Sequence, residues 1–212
     1  MRSRKRGIAA LAAAGMCMLA LAGCSETPTQ EPISTSTVVL AADGSFTRCQ
    51  VEAFDGEDYL LDELESMIRR EVQDYLGGGA GDGGAVAVEQ VSALEGSKEQ
   101  AMVALRFADS RVYEDYRAQV DQQPCRLFYG TVQEALAEGY DLEGALQDMK
   151  KGTPLTSEQL AKIGDKRVLV FEEALQIRCP SKVLYTSGNV KLTEAGYVDG
   201  TEGEGLKYVV IK

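Results

Sequence analysis

Apolar and polar positions repeat with two different periods between residues 44 and 130. Residues 60–76 place apolar side chains three or four positions apart, which predicts an amphipathic helix. In residues 100–107, apolar side chains at the odd-numbered positions alternate with Met102, Ala104 and Arg106, which predicts a half-buried strand. The predicted elements here are strand Gly44–Phe54, a helix from Asp55-Gly56 to Leu76, strands Ala85–Leu94 and Gln100–Phe107, helix Ser110–Gln119 and strand Arg126–Gly130.

This β-α-β-β-α-β order matches that of a ferredoxin-like unit over residues 44–130. The part that follows is predicted to be rich in strands, with short helices between them. Thr131 and Glu134 form a capping box that begins one of these helices. The predicted strands after it are Arg167–Arg178, Lys182–Thr186, Val190–Thr193 and Leu206–Ile211. The pattern predicts an α+β fold with one mainly antiparallel sheet and helices packed on it.

The first residues show a different pattern, with a basic start and then a run without charges. Four basic residues lie in positions 2–6, and Gly7–Ala20 contains no charged residue. That run is long enough for the apolar part of a signal peptide and short for a spanning helix. Leu21-Ala22-Gly23-Cys24 ends the segment. An ordinary secretory signal and an uncleaved membrane anchor remain alternatives.

The tetrapeptide Leu21–Cys24 resembles the lipobox of bacterial lipoproteins at all four positions. The resemblance implies that the enzymes of lipoprotein maturation act on it. They attach a diacylglyceryl group to the Cys24 thiol and cut the chain between Gly23 and Cys24. The new amino terminus often receives a further acyl chain, such as palmitate. Two or more acyl chains anchor a protein stably to a bilayer. The implied location is the extracytoplasmic face of the cell membrane, with the membrane as a partner through Cys24.

Serine and threonine dominate the residues after Cys24. Seven of the thirteen residues of Ser25–Thr37 are Ser or Thr, with two prolines among them. Such a segment buries too little apolar surface to order itself. We therefore predict a signal peptide at 1–23, a lipidated and disordered tether at 24–42 and one globular domain at 43–212. These boundaries predict that a chain without residues 1–40 folds normally.

Charge and composition exclude several classes of function. The chain has 33 acidic and 22 basic residues, so its net charge is −11, which argues against nucleic acid as a partner. Histidine is absent, which removes His-ligated metal sites and His-dependent catalysis. The glycine-rich stretch 77–84 lacks the Gly-Lys-Ser/Thr of a phosphate loop. We predict no catalytic, cofactor-binding or metal-binding residues.

Three cysteines remain in the mature chain: Cys49, Cys125 and Cys179. They permit at most one internal disulfide, and no Cys-x-x-Cys pair is present. Each lies in or beside a predicted strand with apolar neighbours, which favours buried, unreactive thiols over a disulfide. The sequence leaves both possibilities open.

The mature part is also similar to small uncharacterised lipoproteins of anaerobic Gram-positive bacteria. The likeness lies in the Ser/Thr-rich tether, the acidic body, and the Lys182–Ser187 strand before a closing Leu206–Lys212 strand. No activity comes with this resemblance. We predict a lipid-anchored lipoprotein whose domain binds an envelope protein or a small ligand. The alternative is a hydrolase that acts on an envelope polymer through carboxylates.

Overall fold

Five helices and twelve strands are formed by the residues that the structure, a computed structural model, describes. These residues are 32–54, 60–77, 84–94, 97, 99–149, 151–194 and 196–212, and they belong to one compact unit, 31–212. The strands are β1 (Thr37–Leu40), β2 (Phe46–Ala53), β3 (Val86–Ala93), β4 (Gln100–Phe107), β5 (Leu127–Thr131), β6 (Leu146–Asp148), β7 (Arg167–Phe171), β8 (Gln176–Arg178), β9 (Val183–Ser187), β10 (Lys191–Leu192), β11 (Val198–Asp199) and β12 (Lys207–Ile211). The helices are α1 (Leu61–Tyr75), α2 (Ser110–Gln119), α3 (Val132–Ala137), α4 (Leu142–Ala145) and α5 (Ser157–Lys162).

The α+β class and the mainly antiparallel pairing are confirmed, but the strands form two sheets where the sequence predicts one. The first sheet has the order β10-β11-β8-β1-β2-β4-β3 and the second the order β5-β7-β12-β9-β6. Only the pairing of β1 with β8 is parallel among the strand pairs described. One core contains side chains of both sheets, so the second sheet adds a layer that the pattern did not predict.

The β-α-β-β-α-β order of residues 44–130 is present as β2-α1-β3-β4-α2-β5. In the first sheet, β2, β4 and β3 are neighbours in that order, as in a ferredoxin-like unit. The fourth strand, β5, pairs with β7 in the second sheet, because β1 already occupies the free edge of β2. The ferredoxin-like expectation therefore holds for the chain order and fails for the sheet order.

Strand β1 contradicts the predicted end of the tether at residue 42. Thr37–Leu40 pairs with β2 on one side and with β8 on the other. Val38 and Leu40 are buried in the core. Ser and Thr dominate the segment before β1, and a strand of four residues is too short to produce a separate apolar pattern in the sequence. The folded part of the chain therefore includes Thr37–Leu40, and the predicted boundary at 42–43 is wrong.

The second sheet is buried on both faces, which requires apolar side chains at successive positions of its central strands. In β7, Leu169 and Phe171 face the core shared with the first sheet. Val168 and Val170 face a second core that also contains residues of α3, α4 and α5. Alternate residues of a strand point to opposite faces, so one strand serves both cores.

Helix α1 begins at Leu61, later than the predicted start at Asp55-Gly56, which lies outside the described residues. Its predicted apolar stripe is buried only towards the carboxyl end, at Val72 and Tyr75. Leu64 and Ile68, one to two turns earlier, are half-buried. The amino-terminal half of α1 therefore packs less closely than its carboxyl-terminal half.

The predicted strand 167–178 is divided between the two sheets. Strand β7 ends at Phe171 in the second sheet, and β8 begins at Gln176 in the first. The buried ammonium of Lys207 holds the corner between them, because its Nζ donates to the backbone oxygens of Glu172 and Glu173 at 2.8 and 3.3 Å. The side chain of Glu172 faces solvent and that of Glu173 turns inward.

Candidate functional site

A cavity of about 290 Å³ lies between the inner face of the first sheet and helices α1 and α2. We call it the α1 cavity. Its apolar wall contains Leu64 and Ile68 of α1 opposite Val103 and Leu105 of β4. The incomplete packing of α1 is therefore explained, because its half-buried side chains cover a cavity instead of filling it. This volume is close to the lower limit of small-molecule sites, which begin at about 300 Å³.

Polar side chains from three elements occupy one part of this cavity. Arg48, Gln50 and Glu52 of β2 share the inner face because they are two residues apart in one strand. Their side chains form a hydrogen-bonded row, in which Arg48 Nη1 donates to Gln50 Oε1, and Gln50 Nε2 donates to Glu52 Oε1 at 2.7 Å. The row runs from the half-buried Arg48 to the exposed Glu52, so it extends from the interior to solvent.

Arg48 also belongs to a buried ion-pair network. We call this network, which consists of Arg48, Arg117 and Glu173, the arginine cluster. Oε1 of Glu173 lies 3.5 Å from Arg48 Nη2 and 3.1 Å from Arg117 Nη2. The side chains of Arg48, Arg117 and Glu173 are 13, 7 and 17% exposed. Arg117 also pairs with Asp121, one turn further along the chain. A single inward-facing carboxylate thus holds two guanidinium groups that come from different elements.

Tyrosine hydroxyls connect the cluster to both helices. Tyr113 of α2 donates to Glu173 Oε2 at 2.6 Å, and its ring lies 5.9 Å from Arg48 Cζ. Tyr116 donates to Glu71 Oε1 of α1 at 2.8 Å, and Tyr75 of α1 donates to Asp115 Oδ2 of α2 at 2.9 Å. Burial raises the pKa of Tyr113 and Tyr116 well above their usual range, so both hydroxyls stay protonated and remain donors.

The candidate residues predicted from the sequence differ from those that form this site. Gly23 and Cys24 lie outside the described residues, so lipidation and cleavage stay predictions. Cys49, Cys125 and Cys179 have free thiols in the structure. Burial raises the pKa of Cys49 and Cys125 to about 11 and that of Cys179 to about 12. Thiols protonated at neutral pH are poor nucleophiles.

We expect the protein to lose stability as the pH rises above about 9. Unfolded thiols titrate near 9, whereas those of Cys49 and Cys179 titrate at about 11 and 12 in the folded state. Between these pH values the unfolded chain binds fewer protons than the folded chain, so the free energy of unfolding decreases as the pH rises. The contribution of the buried thiols to this free energy is complete below pH 9 and is lost as the pH rises through their folded pKa values. Urea denaturation at pH 8.0 and about 10.5 measures the difference, and Cys179→Val is expected to reduce it. Equal or greater stability at the higher pH would contradict the burial of these thiols.

Arg48, Arg117 and Glu173 were not identified as functional residues from the sequence. One signal was present for each arginine. Arg48 follows Phe46 by two residues in a predicted strand and therefore shares its face. Arg117 follows Tyr113 by four residues in a predicted helix and therefore shares its face. The predicted strand 167–178 places Glu172 and Glu173 on opposite faces, so that one of them should face water. It does not tell which one faces inward, because that depends on where the chain passes from one sheet to the other.

Comparisons of this chain with protein-family models, with curated proteins and with solved structures give no match. Among the described residues, no helix has the length and apolar character that crossing a membrane requires. The part of the chain that the structure describes also contains no group of three or more side chains that could hold a metal ion. The α1 cavity and its polar network are therefore the candidate functional site.

Proposed function

We propose that this chain is a lipid-anchored extracytoplasmic binding protein and that the α1 cavity holds its ligand. The anchor is proposed from the Leu21–Cys24 lipobox and the basic and apolar segments before it. The observation that carries the binding function is the cavity itself. It combines apolar walls with a few polar groups, as small-molecule sites do.

A structural role alone does not account for this cavity well. Protein interiors are close-packed, and an unfilled volume forfeits contacts between the atoms that line it. Leu64 and Ile68 are only half-buried because they line this cavity opposite β4. Hydrogen bonds of Tyr75 and Tyr116 instead join α1 to α2 at its carboxyl-terminal half. This arrangement supports a site that is formed before the ligand binds.

The hydrolase alternative stays a prediction, and no feature of the cavity favours it. The carboxylates that line the cavity already accept hydrogen bonds: Glu52 from Gln50, Glu71 from Tyr116 and Asp121 from Arg117. Binding is therefore the function that this geometry supports better.

Mass spectrometry of the protein extracted from its native membrane tests both parts of the proposal. Under denaturing conditions, we expect a chain that begins at Cys24 and carries acyl groups. Under native conditions, we expect a retained small molecule. Val103→Phe is expected to abolish this retention because its ring would occupy the cavity.

Met102→Phe is the matched control for the native measurement. It introduces the same ring on the opposite face of β4, away from the cavity. We expect this variant to retain the molecule. An unmodified chain beginning elsewhere would contradict the anchor. Equal retention by Val103→Phe and the unaltered protein would contradict the site.

A further inference from the structure

The charges that line the α1 cavity are unevenly satisfied. Arg48 and Arg117 both pair with Glu173, and Arg117 also pairs with Asp121. Glu71, by contrast, has no cationic partner among the described residues, and its carboxylate accepts only the Tyr116 hydroxyl there. A cationic group entering the cavity would be attracted to Glu71, since a partly buried charge interacts more strongly than one in water.

Among the residues that the structure describes, Arg48 and Arg117 each have a nitrogen that lacks a hydrogen-bond acceptor, whereas Glu71 lacks a cationic partner. Nε of Arg48 and Nε of Arg117 are buried and have no hydrogen-bond acceptor in the described part of the chain. Buried donors without acceptors are rare in native proteins and call for an explanation. An oxygen acceptor that entered the cavity would supply the missing partner. Arg48 and Arg117 both line the cavity, so an acceptor there would lie beside their guanidinium groups.

The two deficiencies border the same cavity. Glu71, Arg48 and Arg117 all line it, and so does Tyr116, which donates to Glu71. A ligand with a cation and an anion on adjacent atoms could therefore satisfy Glu71 and Arg48 together. The apolar wall of Leu64, Ile68 and Val103 would take up the rest of it.

From this arrangement we infer that the α1 cavity binds a free apolar α-amino acid. The ammonium group pairs with Glu71, the carboxylate accepts from Arg48 and Arg117, and the aliphatic side chain contacts the wall of α1 and β4. A neutral zwitterion suits a cavity that carries both signs of charge. This inference rests on the proposed function, because it names the ligand of the same site.

Equilibrium dialysis with radiolabelled L-leucine tests the inference on the mature lipoprotein in phosphatidylcholine nanodiscs. Three competitors each lack one part of the ligand: 4-methylpentanoate the ammonium, 3-methylbutylamine the carboxylate and glycine the side chain. We expect L-leucine to bind and each competitor to bind about 10- to 100-fold more weakly, the effect of losing one charged hydrogen bond or the apolar contact.

The variant Glu71→Gln separates recognition of the ammonium from a structural effect. Glutamine keeps an oxygen acceptor for Tyr116 and removes the charge. We expect it to weaken L-leucine by about 10-fold or more and to leave 4-methylpentanoate unchanged, since that ligand has no ammonium. Glu63→Gln, on an exposed position of the same helix, is expected to change neither affinity.

Several results would overturn the inference. These are equal binding of L-leucine and 3-methylbutylamine, no effect of Glu71→Gln on L-leucine, and tighter binding of L-leucyl-L-leucine than of L-leucine. If L-leucine fails to bind while native mass spectrometry still shows a molecule that Val103→Phe loses, this inference falls and the proposed function stands. If neither experiment shows binding, both fall.

Discussion

A chain that lacks residues 1–40 is expected to lose its fold, although the composition of this segment predicts a dispensable tether. The deletion removes β1, which lies between β2 and β8 in the first sheet. Burial of Val38 and Leu40 contributes about 3–6 kcal/mol together. Typical domains are stable by only about 5–15 kcal/mol, and the deletion also removes the backbone hydrogen bonds of two strand pairs. The loss is therefore comparable to the whole stability of the domain.

The matched control is a chain that consists of residues 32–212 and so retains β1. We expect this chain to show a cooperative thermal transition close to that of the mature protein. We expect the chain of residues 41–212 to show no cooperative transition, or one displaced downward by tens of degrees. Circular dichroism melting curves of both chains make the comparison. Similar melting temperatures would mean that β1 is peripheral and that the order of the first sheet is wrong.

Replacing Glu173 by leucine is expected to destabilise the protein by about 3–5 kcal/mol, the usual cost of leaving a buried charge without its partner. The substitution would leave both Arg48 and Arg117 without the carboxylate that they share. It would also remove the acceptor of the buried Tyr113 hydroxyl. For a domain of this size, we expect the melting temperature to fall by on the order of 10 °C.

Glu172→Leu provides the control because Glu172 is the neighbour of Glu173 in the chain, but its side chain faces solvent. The side chain of Glu172 is exposed, and its hydrogen bonds with Arg126 and Lys207 involve backbone atoms, while its carboxylate acts on Lys207 only through its charge. We expect this variant to change the free energy of unfolding by less than about 0.5 kcal/mol. Chemical denaturation of the two variants measures the difference. Equal effects would show that Glu173 is not the centre of the arginine cluster.

The comparison of Glu173→Leu with Glu172→Leu also tests the support of the proposed site. The arginine cluster holds Arg48 and Arg117 in place beside the cavity, and the corner that positions Glu173 is fixed by Lys207. Groups that bind a ligand need such rigid support, since a small displacement weakens recognition. The predicted ligand contacts therefore depend on a network that also stabilises the fold.

Features that depend on near neighbours in the chain were predictable. The capping box of Thr131 and Glu134 is present as predicted, with both reciprocal hydrogen bonds. The alternating strand β4 has its predicted bounds, and α1 buries part of its predicted stripe at Val72 and Tyr75. A cap or a period involves residues a few positions apart, so the sequence itself contains the signal.

The sequence by itself thus determined the α+β class and most of the helices and strands, while the lipid anchor at Cys24 stays a prediction. Only the tertiary structure decided that Thr37–Leu40 forms an interior strand, because its stability comes from β2 and β8 and not from its own composition. The same holds for the candidate site. Glu173 lies 56 residues from Arg117 in the chain, and their pairing exists only after two sheets and a helix have packed together. Contacts of that separation leave no periodic trace in a sequence, because they depend on the position of whole elements in the fold.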